Sequence, residues 1–398
     1  MNVPKLRFKE FTGEWEKYRL GCFIKEFGEK STVENQYPML TSSREGLMLQ
    51  EDYYSSDNRL VNRSSIGYNV LPFGYVTFRN RSDDGFFYFN INNKIDNGLI
   101  SYFYPVFCVN GYNTNFIVEL LNCTYRKMLN IMSTGTSQKV LSFSQLKELD
   151  VLLPGISESE KISSLIDYVV RKIKNQQAIV ESLEKQKKAL MKKIFSQELR
   201  FKDDDGKEFP DWEEKKLGEA GCFTKGGNLS KADLSDEGTE CILYGELYTR
   251  YSEIAEKIVS KTSVEETVLC LSKVNDVLLP SSGETPEDIS TATCILREGV
   301  ALGGDIIVYR SDLLDGRFNS YLLNYKCKLD IAKIAQGKSV VHINANALKN
   351  ILVPVPCLEE QNKIVEFLFS MNKKMENTIE TLEHWKQIKK GLLQQMFV

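Results

Sequence analysis

Residues 162–194 read ISSLIDYVVRKIKNQQAIVESLEKQKKALMKKI, and residues 364–396 read IVEFLFSMNKKMENTIETLEHWKQIKKGLLQQM. Alternate steps of four and three residues through the first segment land on Ile162, Ile166, Val169, Ile173, Gln176, Val180, Leu183, Lys187, Leu190 and Ile194. The same steps through the second land on Ile364, Leu368, Met371, Met375, Thr378, Leu382, Trp385, Lys389, Leu392 and Met396. In both, the polar exceptions fall at the same two steps and every other position is apolar. That spacing is a heptad seam, the signature of a coiled coil. Each helix is predicted at about 35 residues, roughly 50 Å long. Helices of ordinary domain cores run about 8–20 residues, so a duplicated coiled coil accounts for the pattern better. Ser157 with Glu160 predicts a capping box at the first helix start. Asp203-Asp204-Asp205-Gly206 and Pro210 predict its end. Because the two seams share one chain and one register, they are expected to pair antiparallel. Lys187 and Lys389 would then form polar layers that discourage shifted registers.

Outward from the helices the duplication continues. Leu6-Arg7-Phe8-Lys9 returns as Leu199-Arg200-Phe201-Lys202, an offset of 193. Trp15-Glu16 and Leu20-Gly21 return at Trp212 and Leu217, an offset of 197, and Gly135, Ser137 and Pro154 return at Gly337, Ser339 and Pro356, an offset of 202. An offset that grows in order along the chain is what small loop insertions produce in two copies of one unit. Between these shared ends, Tyr75-Val76-Thr77-Phe78, Phe86-Phe87-Tyr88-Phe89, Val277-Leu278-Leu279 and Ile306-Ile307-Val308-Tyr309 predict short strands. The fold class is therefore α/β (α+β). The segmentation is 1–156 and 200–356 as globular domains, with 157–199 and 357–398 as the coiled-coil helices.

Composition bounds the function. The chain has 398 residues, 42% hydrophobic and 26% charged, which excludes wholesale disorder. Lys plus Arg number 51 against 54 Asp plus Glu, a net charge of −3, so contact with a polyanion must come from local patches. The start MNVPK leads into charged sequence, which predicts no signal peptide. The most apolar stretch, 99–109, is too short to span a membrane. Nine Cys without a C-x-x-C pair and only two His, His342 and His384, make a zinc site unexpected and predict a cytoplasmic protein. No phosphate-loop motif and no dinucleotide fingerprint occurs, and no nucleophile–base pair can be nominated. No metal or catalytic residue is expected, and the chain reads as a binder.

Positive charge is grouped in Gly-rich or aromatic-flanked segments. The first copy carries Arg59, Arg63, Arg79, Asn80 and Arg81, with Ser137, Gln138 and Lys139 in its Gly-x-Ser loop. The second carries Lys225, Asn228, Lys231, Arg250, Ser282, Thr285, Arg310 and Arg317, with Lys338 and Ser339 in its own loop. Arg, Lys, Asn and Gln pair with base edges, while Ser, Thr and backbone amides position phosphates. Any one of these taken alone is an ordinary surface residue. Their recurrence in matching loops is what nominates them for DNA binding.

With these residues in place, the chain resembles the DNA-specificity subunit of type I restriction–modification enzymes. The likeness rests on Trp-Glu-x-x-[Arg/Lys]-Leu-Gly at Trp15 and Trp212, Ser-Gly-x-Thr-Pro at Ser282 to Pro286, and the Gly-x-Ser loops at Gly135 and Gly337. The helix start at Pro356, Glu360-Gln361 and Lys363-Ile364 adds to it. The first copy departs from the pattern: Ser159 follows Glu158 where Gln361 follows Glu360, and Leu71-Pro72-Phe73-Gly74 stands near where a Ser-Gly-x-Thr-Pro is sought. The resemblance implies two target-recognition domains reading the halves of a bipartite asymmetric double-stranded DNA target. It implies helices that dock two modification (adenine methyltransferase) subunits, with restriction (translocase/nuclease) subunits as further partners. S-adenosylmethionine, ATP and Mg would be used by those partners and no cofactor by this chain, which would be a non-catalytic specificity subunit. A coiled-coil scaffold with two protein-binding domains and no DNA role is the alternative reading.

Overall fold

The computed structural model describes residues 3–53, 64–337 and 340–397. They form two compact units, one built from residues up to 178 together with those from 379 onward, the other from 179–378. Each long helix is continuous, Ile156–Phe195 and Leu358–Met396, and contributes its first half to one unit and its second half to the other. All twenty seam positions are buried or half-buried. The heptad pattern therefore marked the covered face along both helices.

The same frame is built twice. In the first unit, Glu16–Arg19 pairs antiparallel with Asp150–Leu153. In the second, Glu213–Lys216 pairs with Leu352–Val355 in the same register. The main sheet of the first unit runs Ile24–Glu26, Val106–Val109, Val76–Phe78, Phe89–Ile91, all antiparallel. In the second unit the order is Cys222–Lys225, Ile306–Arg310, Asp276–Pro280, Thr293–Ile295, with Ile254–Ala255 added in parallel. A ten-residue helix covers each sheet, Thr114–Cys123 and Gly316–Tyr325. Their N-caps correspond: Asn113 accepts from Asn115 and Phe116, and Asp315 from Arg317 and Phe318. An Asn or Asp side chain at this position satisfies amides that the first helical turn leaves unpaired.

The long helices close both cores. In the first unit, Phe397 stacks against Phe116 at 5.3 Å and edges onto Trp15 at 6.5 Å. In the second, Phe195 meets Phe318 at 5.9 Å, and Trp212 lies 6.2 Å from Phe318. These are the same three rings by sequence offset, and in each unit the third ring comes from the end of the helix that began in the other. Ile162 and Ile166 share the first core with Met396, and Tyr168 edges onto Trp385 at 6.4 Å. Met191 and Ile194 share the second core with Ile364 and Leu368. Starts therefore meet ends, and the helix segments of each unit run antiparallel. Leu6 N–H donates to the Gln395 carbonyl just as Leu199 N–H donates to that of Lys193, so both helix ends are finished alike.

Arg7 and Arg200 explain the repeated Leu-Arg-Phe-Lys. Arg7 makes a two-pronged ion pair with Glu158, at 2.7 Å for both contacts. Arg200 holds Glu360 at 2.7 and 2.9 Å. Both carboxylates are buried, Glu360 completely. Trp212 Nε1 also donates to Glu360 at 2.8 Å, whereas Trp15 Nε1 has no such partner.

Several local expectations are corrected. The first helix begins at Ile156, so Ser157 lies inside its first turn and cannot cap it with Glu160. Phe86-Phe87-Tyr88 is irregular and the strand begins at Phe89, because Asp84 accepts from Phe86 N–H and Gly85 sits at φ +77°, turning the chain. Lys187 and Lys389 do not make the expected polar layers between the helices. Lys187 pairs with Glu253 at 2.7 Å and Lys389 with Glu119 at 3.0 Å, each carboxylate coming from the globular part of the Lys's own unit. Gln361, fully buried, accepts from Asp315 N–H and donates to the Leu313 and Pro356 carbonyls, tying the capping loop to the long helix. Its counterpart Ser159 reaches only the Ile156 carbonyl, in its own turn.

Candidate nucleic-acid interface

The Gly-x-Ser loops are closed by backbone pairing that is the same in both units. Thr134 bridges Val140, and Gln336 bridges His342. Gly135 sits at φ +95° with the Gln138 carbonyl 2.3 Å from where a Cβ would be, and Gly337 at φ +135° with the Val340 carbonyl 2.0 Å away. Only glycine fits there, because both the conformation and the space exclude a side chain. The tip of the first loop holds Thr136 and Ser137 exposed.

Each loop returns beside a two-residue strand. Lys139–Val140 pairs with Arg81–Ser82, and Val341–His342 pairs with Ser282–Gly283. Arg81 stands opposite Val140 as Ser282 stands opposite His342. The counterpart of the Ser-Gly-x-Thr-Pro stretch in the first unit is thus the segment beginning at Arg81. Leu71 and Pro72 instead belong to the strand Asn69–Pro72, paired with Asn97–Ile100. In the second unit the motif is a strand-to-helix turn. Thr285 caps the helix Pro286–Ile289 through a capping box with Asp288, Pro286 takes the first turn, and Ile289 Cγ2 leaves no room for a Cβ on Gly283. Ser282, buried, lies 2.9 Å from His342 Nδ1.

In the first unit this strand borders two adjoining hollows of about 690 and 550 Å³, both lined by Arg79, Arg81, Thr41 and Tyr104. Gln138 and Phe103 line the larger, and Arg44, Asp83 and Tyr88 the smaller. Arg81 stacks over the Phe103 ring at 4.3 Å. Gln138 donates to Asp83 at 2.9 Å. Arg44 pairs with Asp84, whose carboxyl is held below the usual range chiefly by the Ser82 hydroxyl. Arg126 lies over Phe86 and Tyr88 and donates to the Tyr88 hydroxyl at 2.7 Å. Asn80 N–H donates to the Phe103 carbonyl, while its buried side-chain oxygen has no partner among the described residues.

The nominated residues thus fall into groups. Arg79, Arg81 and Gln138 share one cleft, with Asn80 between the arginines and Ser137 and Lys139 on the loop beside it. Ser282 and Thr285 share the matching strand and turn of the second unit. Lys225, Asn228, Lys231 and Arg250 are exposed on separate segments, with Arg250 3.7 Å from Glu246. Arg310 is held by Asp276 at 2.6 and 2.8 Å, and Arg317 by Asp315, the cap of its own helix. These two guanidiniums tie elements of the fold together. Arg59, Arg63, Lys338 and Ser339 lie outside the described residues. The sequence reading missed Arg44, Tyr88 and Phe103. Phe103 sits in the apolar stretch 99–109, considered above only for its length against a membrane span.

The family model of the type I restriction modification DNA specificity domain matches residues 210–384. Over its length the chain is similar to type I restriction–modification specificity subunits. It is 24% identical to the type I restriction enzyme MjaVIII specificity subunit of Methanocaldococcus jannaschii, over 97% of this chain and 94% of that one. It is 22% identical to the MjaIX specificity subunit of the same organism, over 68% and 65%. Among solved structures, the type I restriction–modification S subunit from M. genitalium has the same fold, with a TM-score of 0.63, 15% identity and coverage of 100% and 99%. A chain from a study of complex assembly and conformational transition of the type I R-M system matches with a TM-score of 0.53, 16% identity and coverage of 96% and 97%. Among the described residues, no helix is long and apolar enough to cross a membrane.

Proposed function

We propose that this chain reads a bipartite, asymmetric DNA target, one half with each unit, and docks two modification subunits on its long helices. The observation that carries the reading is the pair of matching strands: one frame, built twice, presents Arg79 and Arg81 at a cleft in one copy, whereas the matching places of the other hold the buried Pro280 and Ser282. A shared frame with different reading groups suits two half-sites of different sequence. The chain itself would carry no catalytic residue, metal or cofactor, leaving S-adenosylmethionine, ATP and Mg to its partners in the cytoplasm.

Mapping methylated adenines in cells that carry this chain with its modification subunit tests the reading. An asymmetric two-part motif is expected, and a palindromic motif refutes it. The purified complex should also lose affinity steeply with salt, because Lys and Arg contacts to phosphate release counterions. Salt-independent binding would favour the protein scaffold. Purified chain without partners should show no methyltransferase, nuclease or ATPase turnover.

A further inference from the structure

We infer that the first unit reads a guanine through Arg79 and Arg81, and that the second unit, with no guanidinium at the matching place, does not. This rests on the DNA-reading function proposed above. Four other described arginines of the first unit are engaged within the fold, Arg7 with Glu158, Arg19 with Glu148 and Asp150, Arg44 with Asp84, and Arg126 with Tyr88, while Arg171 is exposed on the long helix away from these hollows. Arg79 and Arg81 are exposed, two residues apart, and line the same two hollows with no carboxylate paired to either among the described residues. Two like charges held together in a concavity repel each other, and although Glu51 lines the larger hollow and Glu45, Asp83 and Asp84 the smaller, none of these carboxylates pairs with either guanidinium. The donors left open on both guanidiniums suit an incoming group rich in hydrogen-bond acceptors.

DNA offers phosphate oxygens and base-edge acceptors, and of the bases guanine alone sets two acceptors, O6 and N7, side by side in the major groove. The cleft favours guanine for two reasons. Stacking on Phe103 at 4.3 Å fixes the plane of the Arg81 fork, which suits a flat bidentate partner. Guanine O6 and N7 are such a partner, and Arg is their commonest reader. The recess itself, with Gln138 on its wall, can receive a base edge, whereas a phosphate contact needs no recess. In the second unit Ser282 occupies the place of Arg81 and is engaged with His342 at 2.9 Å, while Pro280 stands two residues before it, as Arg79 stands before Arg81. Guanine dependence through this strand is thereby confined to one half-site.

The test uses the full chain assembled with its modification subunit, on duplexes carrying the mapped motif. Each guanine is replaced in turn by 7-deazaguanine, which lacks only the N7 acceptor. One guanine in one half should cost about 5- to 150-fold in affinity. Arg79→Gln and Arg81→Gln complexes are measured on the same duplexes. At least one variant should show that loss on the unmodified duplex and little further loss on the 7-deaza duplex. The motif methylated in cells should then relax at that guanine alone, leaving the other half unchanged. The inference is overturned if no guanine in the affected half responds. It is also overturned if both variants weaken all sequences equally while lowering the salt slope by about one, the behaviour of a phosphate contact. An assembled complex with no sequence preference at all would instead sink the proposed function itself.

Discussion

Arg200→Met would leave the fully buried Glu360 carboxylate with Trp212 Nε1 as its remaining side-chain donor. Removing one member of a buried ion pair typically costs about 3–5 kcal/mol, most of it the penalty of an uncompensated charge. Two features place this case at the lower end. The Trp212 hydrogen bond persists, and the Arg200 side chain is already 23% exposed. A loss of about 3 kcal/mol should lower the melting temperature of the second unit by roughly 6–12 °C, at about 2–4 °C per kcal/mol for a domain of this size. The decisive comparison is the double variant Arg200→Met with Glu360→Met. With the charge gone, apolar groups of similar volume fill the site, so the double should be more stable than Arg200→Met alone. Calorimetry or urea denaturation of the parent, Arg200→Met, Glu360→Met and the double measures the cycle. A single variant within about 1 kcal/mol of the parent, or a double no better than the single, would show that the buried charge is not what Arg200 serves.

Further outcomes follow from the same structure. Phe397→Ala and Phe195→Ala remove matching rings from the two cores and should each cost about 3–5 kcal/mol in denaturant titrations; a loss below 1 kcal/mol for either would contradict the shared three-ring arrangement. Gly135→Ala forces a Cβ to within 2.3 Å of the Gln138 carbonyl at φ +95°, so the Gly-x-Ser loop should distort and DNA affinity of the assembled complex should fall, whereas wild-type affinity would deny the loop a role. Burial pushes the Cys123 and Cys241 thiols up to about 11, so maleimide at pH 8 should label exposed Cys22 and Cys222 first, as read by mass spectrometry. Because those folded-state values are raised above the ordinary ~8.5, the stability they contribute is present below about pH 8.5 and lost as pH rises toward 11; melting temperatures that climb over this range in a variant-controlled comparison would reverse the sign. Finally, inserting four residues, about one helical turn or ~6 Å, into both long helices should lengthen the gap of the methylation motif by about two base pairs at ~3.4 Å each; an unchanged gap in an intact complex would refute a spacing role for the helices.

Much of this architecture was legible before any coordinates. Heptad spacing is a local property, and all twenty predicted seam positions are covered. Duplication was equally legible, since matching residues at ordered offsets carry the same caps, strand registers and glycine turns in both units. The reading groups were harder. Arg310 and Arg317 looked as available as Arg79 and Arg81, because sequence states a residue's charge and not which carboxylate folds against it.

Sequence by itself determined the helices, the two copies and the glycine-dependent turns. All of these depend on neighbours within a few residues or on comparison of one copy with the other. Tertiary structure alone decided which helix end completes which core, with Phe397 joining Trp15 and Phe195 joining Phe318. It alone matched Arg81 with Ser282, two residues that share no motif, because strand pairing with the returning loop sets that equivalence. It alone separated arginines held by buried acids from those left open at a cleft. The physical reason is common to all three. Periodicity and turn chemistry are encoded in short stretches, whereas charge pairing and ring packing join residues far apart in the chain, and only the folded chain sets which partner each one meets.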